Sequence, residues 1–183
     1  GGLEDLRRVG ELLDRLMLQL GERHYLVAGH SLGGVLALEL ALERPGRVQA
    51  AALINAAVGL PFIARLGAAR GLGEAIFRLP SFAPSSRRAT RLYLQRLFGE
   101  PARLTEATVE AYFHAASSPG YYRTMLSGLR GLARWGRTSE FHRLAVPTAV
   151  IWGTRDPLFP EPRGRRLAGL LPGAHFLPID GCG

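Results

Sequence analysis

The sequence predicts an α/β chain, a parallel sheet with crossover helices and one long helical insertion. Three observations carry this. Uncharged apolar runs of strand length recur at residues 25–29, 48–57, 148–153 and 174–179, as buried parallel strands require. Helix-length stretches separate them. Between residues 59 and 143, helical pieces alternate with Pro- and Gly-containing breaks.

In chain order, Leu3, Leu6, Val9, Leu12, Leu13, Leu16, Met17 and Leu20 recur at intervals of three or four. With acids and arginines on the other face, they predict an amphipathic helix over 3–20, ended by Gly21. The run 25–29 turns straight into 32–43, a Leu-, Ala- and Val-rich segment too long and too Ala-rich for a strand. Arg44-Pro45-Gly46 breaks that helix, and 48–57 is a second buried strand. Breakers follow at Leu79-Pro80, Ala83-Pro84-Ser85-Ser86, Gly99-Glu100-Pro101 and Ser118-Pro119-Gly120. Thr105 is an expected N-cap for a helix to Ala116, and 121–135 repeats apolar residues at helical spacing through Trp135. Pro147 introduces strand 148–153, then come loop 154–157, helix 161–171 and strand 174–179. The expected division is a core of 1–58 and 144–183 carrying a helical lid of 59–143.

With 183 residues, 47% of them hydrophobic, the chain can bury one substantial core. No apolar run reaches the roughly 18 residues of a membrane span, and membrane association is not expected. The opening Gly1-Gly2-Leu3 lacks a Met and begins directly on a helix, as though the chain were entered midway. The single cysteine, Cys182, excludes an internal disulfide and fits a cytoplasmic location. His24, His30, His114, His142 and His175 make no metal-ligand spacing, so no metal and no cofactor is expected. All 23 basic residues are arginine, which excludes a lysine-dependent phosphate loop. The net charge of +8 resides in residues 60–143, with 13 Arg against 5 acids. That excess fits a solvated arginine face, guidance of an anionic substrate or carrier, or contact with an acidic membrane surface. No basic run or reading module accompanies it, so nucleic acid is not an expected partner.

The chemistry centres on Gly29-His30-Ser31-Leu32-Gly33-Gly34. A strand that becomes a helix with no spare residue forces Ser31 into strained backbone angles and presents its hydroxyl at the sheet's carboxyl edge. Gly29 and Gly33 are expected because side chains there would collide with neighbouring strand or helix. The N–H of Leu32, at a fresh helix N-terminus, can donate to an oxyanion.

These residues resemble the α/β-hydrolase family, in its partial form. The stretch 29–34 is similar to its nucleophile elbow. Trp152-Gly153-Thr154-Arg155-Asp156-Pro157 is similar to the loop that carries its acid, and 59–143 lies where it inserts a cap. The resemblance implies Ser31 as nucleophile, Asp156 as orienting carboxylate and His30 as a residue packing beside the serine. The family's other position for the acid holds Asn55, which cannot carry the charge. His175, the one histidine after Asp156, starts its strand at the wrong edge, and Asp180-Gly181-Cys182-Gly183 resembles the turn just before the family's histidine. The base is therefore expected immediately after Gly183, and a second oxyanion donor ahead of Leu3. The expected function is a serine hydrolase of carboxylic esters or related small acyl compounds, working through an acyl-enzyme. The chain as written would be a nearly inert, poorly soluble piece of it, of open oligomeric state. The other expectation is a non-catalytic hydrolase-like scaffold that binds a hydrophobic ligand or a partner. Eleven of the fifteen aromatics fall between 60 and 143, among them Phe62, Phe77, Phe82, Phe98 and Tyr112, and some are expected to line an acyl pocket.

Overall fold

A computed structural model of the chain describes residues 2–59 and 86–183. Strands β1 (Tyr25–His30), β2 (Val48–Ile54), β3 (Thr148–Gly153) and β4 (His175–Ile179) form one parallel sheet in the order β1-β2-β3-β4. All four carboxyl ends therefore lie at one edge. Helices α1 (Leu6–Gln19), α2 (Leu32–Glu43) and α6 (Glu161–Leu170) flank the sheet strands in sequence. Helices α3 (Arg87–Leu97), α4 (Glu106–Ala116) and α5 (Tyr121–Arg134) lie between β2 and β3. Each sequence-predicted strand and helix among the described residues is present, with ends agreeing to within three residues.

Alternation along the strands separates two faces. Val48, Leu53, Val150 and Trp152 are buried on one, whereas Leu26, Leu177 and Ile179 are exposed on the other. Helix α2 is buried nearly all round, including Val35, Leu38 and Ala41, which explains why its sequence has no polar face. Gly164 lets α6 close on β3, because a Cβ there would meet the Trp152 ring. The Trp152 indole N–H donates to the Phe159 carbonyl at 2.7 Å, which satisfies its one donor in the core.

Helix α1 departs from the sequence expectation. Its buried stripe is Leu6, Gly10 and Asp14, while Leu12, Leu13, Leu16 and Leu20 are exposed. Gly10 faces α2, where a Cβ would make ordinary contact with Glu39 Cγ at 3.4 Å. Asp14 is drawn inward by donors. Tyr25 Oη donates at 2.6 Å, and Arg44 Nε and Arg47 Nη1 each donate at 3.1 Å. Burial alone would raise the Asp14 pKa, but these partners overcome it and hold the carboxyl below its usual range. Burial and the bond to Asp14 push the Tyr25 hydroxyl up to about 12.

The helical segment is tied down at two places. Thr105 caps α4 as expected, its hydroxyl accepting from Thr108 N–H at 3.1 Å. Arg87–Glu110 and Arg91–Glu106 pair α3 with α4, so part of the arginine excess is internally matched. Helix α5 docks on the core through glycines. A Cβ at Gly131 would strike the Leu3 carbonyl, and one at Gly128 would stand 3.2 Å from Leu32 Cδ2. Past α5, the Trp135 indole N–H and Arg137 Nη1 each donate at 2.8 Å to Glu39, which is buried on α2. Arg137 also holds the Glu140 carboxyl down at about 2. The expectations placed on Phe62, Phe77, Phe82, Leu79-Pro80 and Ala83-Pro84-Ser85 fall outside the described residues. Among the described residues no helix is long and apolar enough to cross a membrane, and no group of three or more His, Cys, Asp or Glu could hold a metal ion.

Candidate active site

Ser31 sits between the last residue of β1 and the first of α2, at φ 54° and ψ −117°. Positive φ is costly for a residue with a Cβ, and among the described non-glycine residues only Ser31 and Asn55 (φ 41°) adopt it. Neighbouring chain holds Ser31 there. Its N–H donates to the Ile54 carbonyl at 3.0 Å, and its own carbonyl accepts from Gly34 N–H and Ala57 N–H, each at 3.1 Å. Leu32 begins α2, so its N–H belongs to the helix end that lacks intrahelical acceptors.

The two expected glycines differ. A Cβ at Gly29 would collide with the backbone of Gly33 and Gly34, as expected of so tight a turn. A Cβ at Gly33 would meet nothing within 4 Å, which corrects the expectation of a collision there. The second crowded position is Gly34, where a Cβ would stand 2.7 Å from Ala56 Cβ and 3.1 Å from the Gly29 carbonyl. The sequence shows both glycines side by side, and only the β2 corner decides between them.

Asp156 lies three residues past β3, at the same edge of the sheet. Its Oδ1 accepts from Leu158 N–H at 2.7 Å and Phe159 N–H at 2.8 Å. Its Oδ2 accepts from Asn55 Nδ2, and Asn55 Oδ1 in turn accepts from Gly153 N–H at 3.1 Å. Asn55 is buried at 6% exposure. The sequence presents Asn55 only as a residue unable to supply charge. Its bond to Asp156 joins positions 101 residues apart, so no local pattern reveals it.

A cavity of about 360 Å³ opens at this edge. His30, Asp156 and Gly183 line it, with Leu94 and Leu97 of α3, Phe98 and Tyr112 of the helical segment, and Leu158. The last residues are packed in from both sides. Arg155 N–H donates to the Cys182 carbonyl at 2.7 Å, and a Cβ at Gly153 would stand 2.6 Å from that same oxygen. Of the five histidines only His30 lines the cavity. His24, His114, His142 and His175 are exposed, and His175 pairs with Ala149 near the start of β3, far down the sheet from Asp156.

The chain is similar in sequence and fold to known proteins. The chain is 32% identical over 186 residues to the magnesium-chelatase 30 kDa subunit of Rhodobacter capsulatus, covering 96% of this chain and 62% of that protein. It is 30% identical over 178 residues to a putative carbamate hydrolase, RutD, of Pseudomonas syringae pv. syringae, covering 92% of this chain and 62% of the relative. A meta-cleavage product hydrolase from Pseudomonas fluorescens IP01 superposes with a TM-score of 0.75 at 21% identity, over 98% of this chain and 64% of that one. The chain thus spans about three fifths of the length of these proteins. A family profile described as alpha/beta hydrolase fold matches residues 5–183, and this chain belongs to the α/β-hydrolase family.

Proposed function

We propose that the protein is a serine hydrolase of carboxylic esters or related acyl compounds, with Ser31 as nucleophile and Asp156 as orienting carboxylate. The observation that supports this most is the backbone of Ser31. A positive φ is costly for a residue with a Cβ, and a strand–helix turn that keeps it is the arrangement that exposes a nucleophile's hydroxyl; His30, next to Ser31, lines the cavity, whereas Ser31 itself does not. In this reading Ser31 Oγ bonds to the acyl carbon while an imidazole takes its proton. The oxyanion accepts from Leu32 N–H. Collapse of the adduct breaks the bond to the leaving group, which takes the proton from the imidazolium. Water then repeats the sequence on the acyl-serine, giving the acid and free Ser31. The imidazole would act at the edge of the sheet where Asp156 lines the cavity. The apolar lining from Leu94, Leu97, Phe98 and Leu158 suits an acyl chain, with the helices between β2 and β3 acting as its lid.

A second reading is a non-catalytic scaffold working with a partner. It is favoured by one relative, whose name is that of a chelatase subunit rather than a hydrolase. Fluorophosphonate labelling of the full-length protein separates the two. The hydrolase reading expects labelling that Ser31→Ala abolishes. Equal labelling of parent and variant, or none of either, sinks it. His30→Gln tests the base: labelling within tenfold of the parent is expected, and abolition would make His30 the base.

A further inference from the structure

Resting on that reading, we propose that Asn55 is the positioning residue of the site, fixing both the face that Asp156 presents and its spacing from Ser31. The corner from Ile54 to Ala57 is bonded to both groups. On one side the Ile54 carbonyl accepts from Ser31 N–H, and Ala57 N–H donates to the Ser31 carbonyl. On the other side Asn55 Nδ2 donates to Asp156 Oδ2. Asn55 itself is anchored to β3 twice, by its backbone N–H to the Ile151 carbonyl at 3.0 Å and by Oδ1 to Gly153 N–H at 3.1 Å. The backbone that holds Ser31 and the side chain that holds Asp156 therefore belong to one corner, with Asn55 between its two anchors on β3 and the carboxylate.

The chemistry of the amide selects the residue. Gly153 N–H can only donate and an ionised carboxylate can only accept, so the site needs one acceptor and one donor on the same short side chain. Asparagine supplies both, and it tolerates φ 41° better than most residues with a Cβ. Aspartate would satisfy Gly153 but turn a second oxygen on Asp156. A carboxylate offers roughly four acceptor sites. Leu158 and Phe159 N–H take two on Oδ1 and Asn55 takes one on Oδ2, which leaves Oδ2 with a site for one more donor. That site is the one a base would use, and Asn55 determines where it points.

The test is the full-length protein turning over p-nitrophenyl acetate, with Asn55→Asp and Asn55→Gly. Misplacement of about 1 Å at such a site costs roughly a hundredfold in rate. Asn55→Asp is expected to lower kcat about a hundredfold with KM within threefold. It should also convert a pH profile that rises through the base into a bell, because the two carboxyls then work only while they share a proton. A merely structural role would leave the shape of the profile alone. Should Asn55→Asp not fold, Asn55→Gly carries the test, since glycine accepts the backbone angle and removes only the bonds. A kcat within threefold of the parent and an unchanged profile overturn the proposal. A parent with no Ser31-dependent turnover overturns the hydrolase reading, and this one with it.

Discussion

Asp156 and Asp14 are both carboxylates held by three donors, at opposite ends of one sheet. Asp14 sits at the amino end against Tyr25, Arg44 and Arg47. Its two guanidinium partners neutralise it, and it is 6% exposed. Asp156 sits at the carboxyl end against Leu158 N–H, Phe159 N–H and the Asn55 amide, all uncharged. Those dipoles orient the carboxylate without cancelling it, and it lines a cavity. The difference separates a charge consumed by the fold from a charge kept available. Cationic partners turn a carboxylate into a fastener, whereas neutral ones leave it able to stabilise an imidazolium.

The two ends should therefore fail in different ways. Asp156→Asn in the full-length protein should lower kcat about 10⁴-fold, as loss of a triad carboxylate does, with little change in unfolding midpoint. Asp14→Ala should do the reverse. It strands two guanidiniums and a buried hydroxyl and is expected to cost about 3 kcal/mol of stability, with turnover per folded molecule unchanged. Urea titration and steady-state kinetics on both variants check this. Equal losses of stability would show that Asp156 is a fastener too.

The elbow carries a smaller contrast within six residues. Gly29→Ala places a methyl group into the backbone of Gly33 and should either prevent folding or cost more than about 3 kcal/mol. Gly33→Ala meets nothing within 4 Å and lies inside α2, where alanine is favoured over glycine by about 1 kcal/mol. It should fold as well as the parent or better. A folded Gly29→Ala protein with parental melting would remove the packing account of this turn.

The carboxyl end was legible from sequence because its constraints are local. Gly29, Ser31 and the strand–helix switch occupy adjacent positions, whereas Asp156, three residues past its strand, stood out through the resemblance of 152–157 to the family's acid loop. Thr105 was legible as a cap for the same reason. The amino end was not. Spacing alone made the leucines of α1 the natural inward stripe. Leu12, Leu13, Leu16 and Leu20 are exposed instead, and the inward face carries Asp14, held by its donors. Those donors come from Tyr25, Arg44 and Arg47, between 11 and 33 residues away. Asn55 was invisible as an anchor on the same grounds, and Gly34 could not be preferred to Gly33 until Ala56 stood beside it.

The amino-end cluster also sets a pH window. The folded Asp14 carboxyl titrates below its unfolded value of about 3.9, so its contribution is complete above that pH and fades as pH falls through the folded value. Tyr25 runs the other way. Its folded pKa of about 12 lies above the unfolded value near 10, so its contribution is intact below 10 and is lost as pH rises through 12. Between roughly pH 5 and 9 neither group changes charge, and the stability difference between the parent and Asp14→Asn should be flat there. Below pH 4 that difference should shrink, because the parent's carboxyl becomes protonated and comes to resemble the amide. Urea midpoints of the two proteins at pH 7, 5 and 3 measure it directly. A gap of constant size down to pH 3 would mean that Asp14 is not held by its arginines in solution.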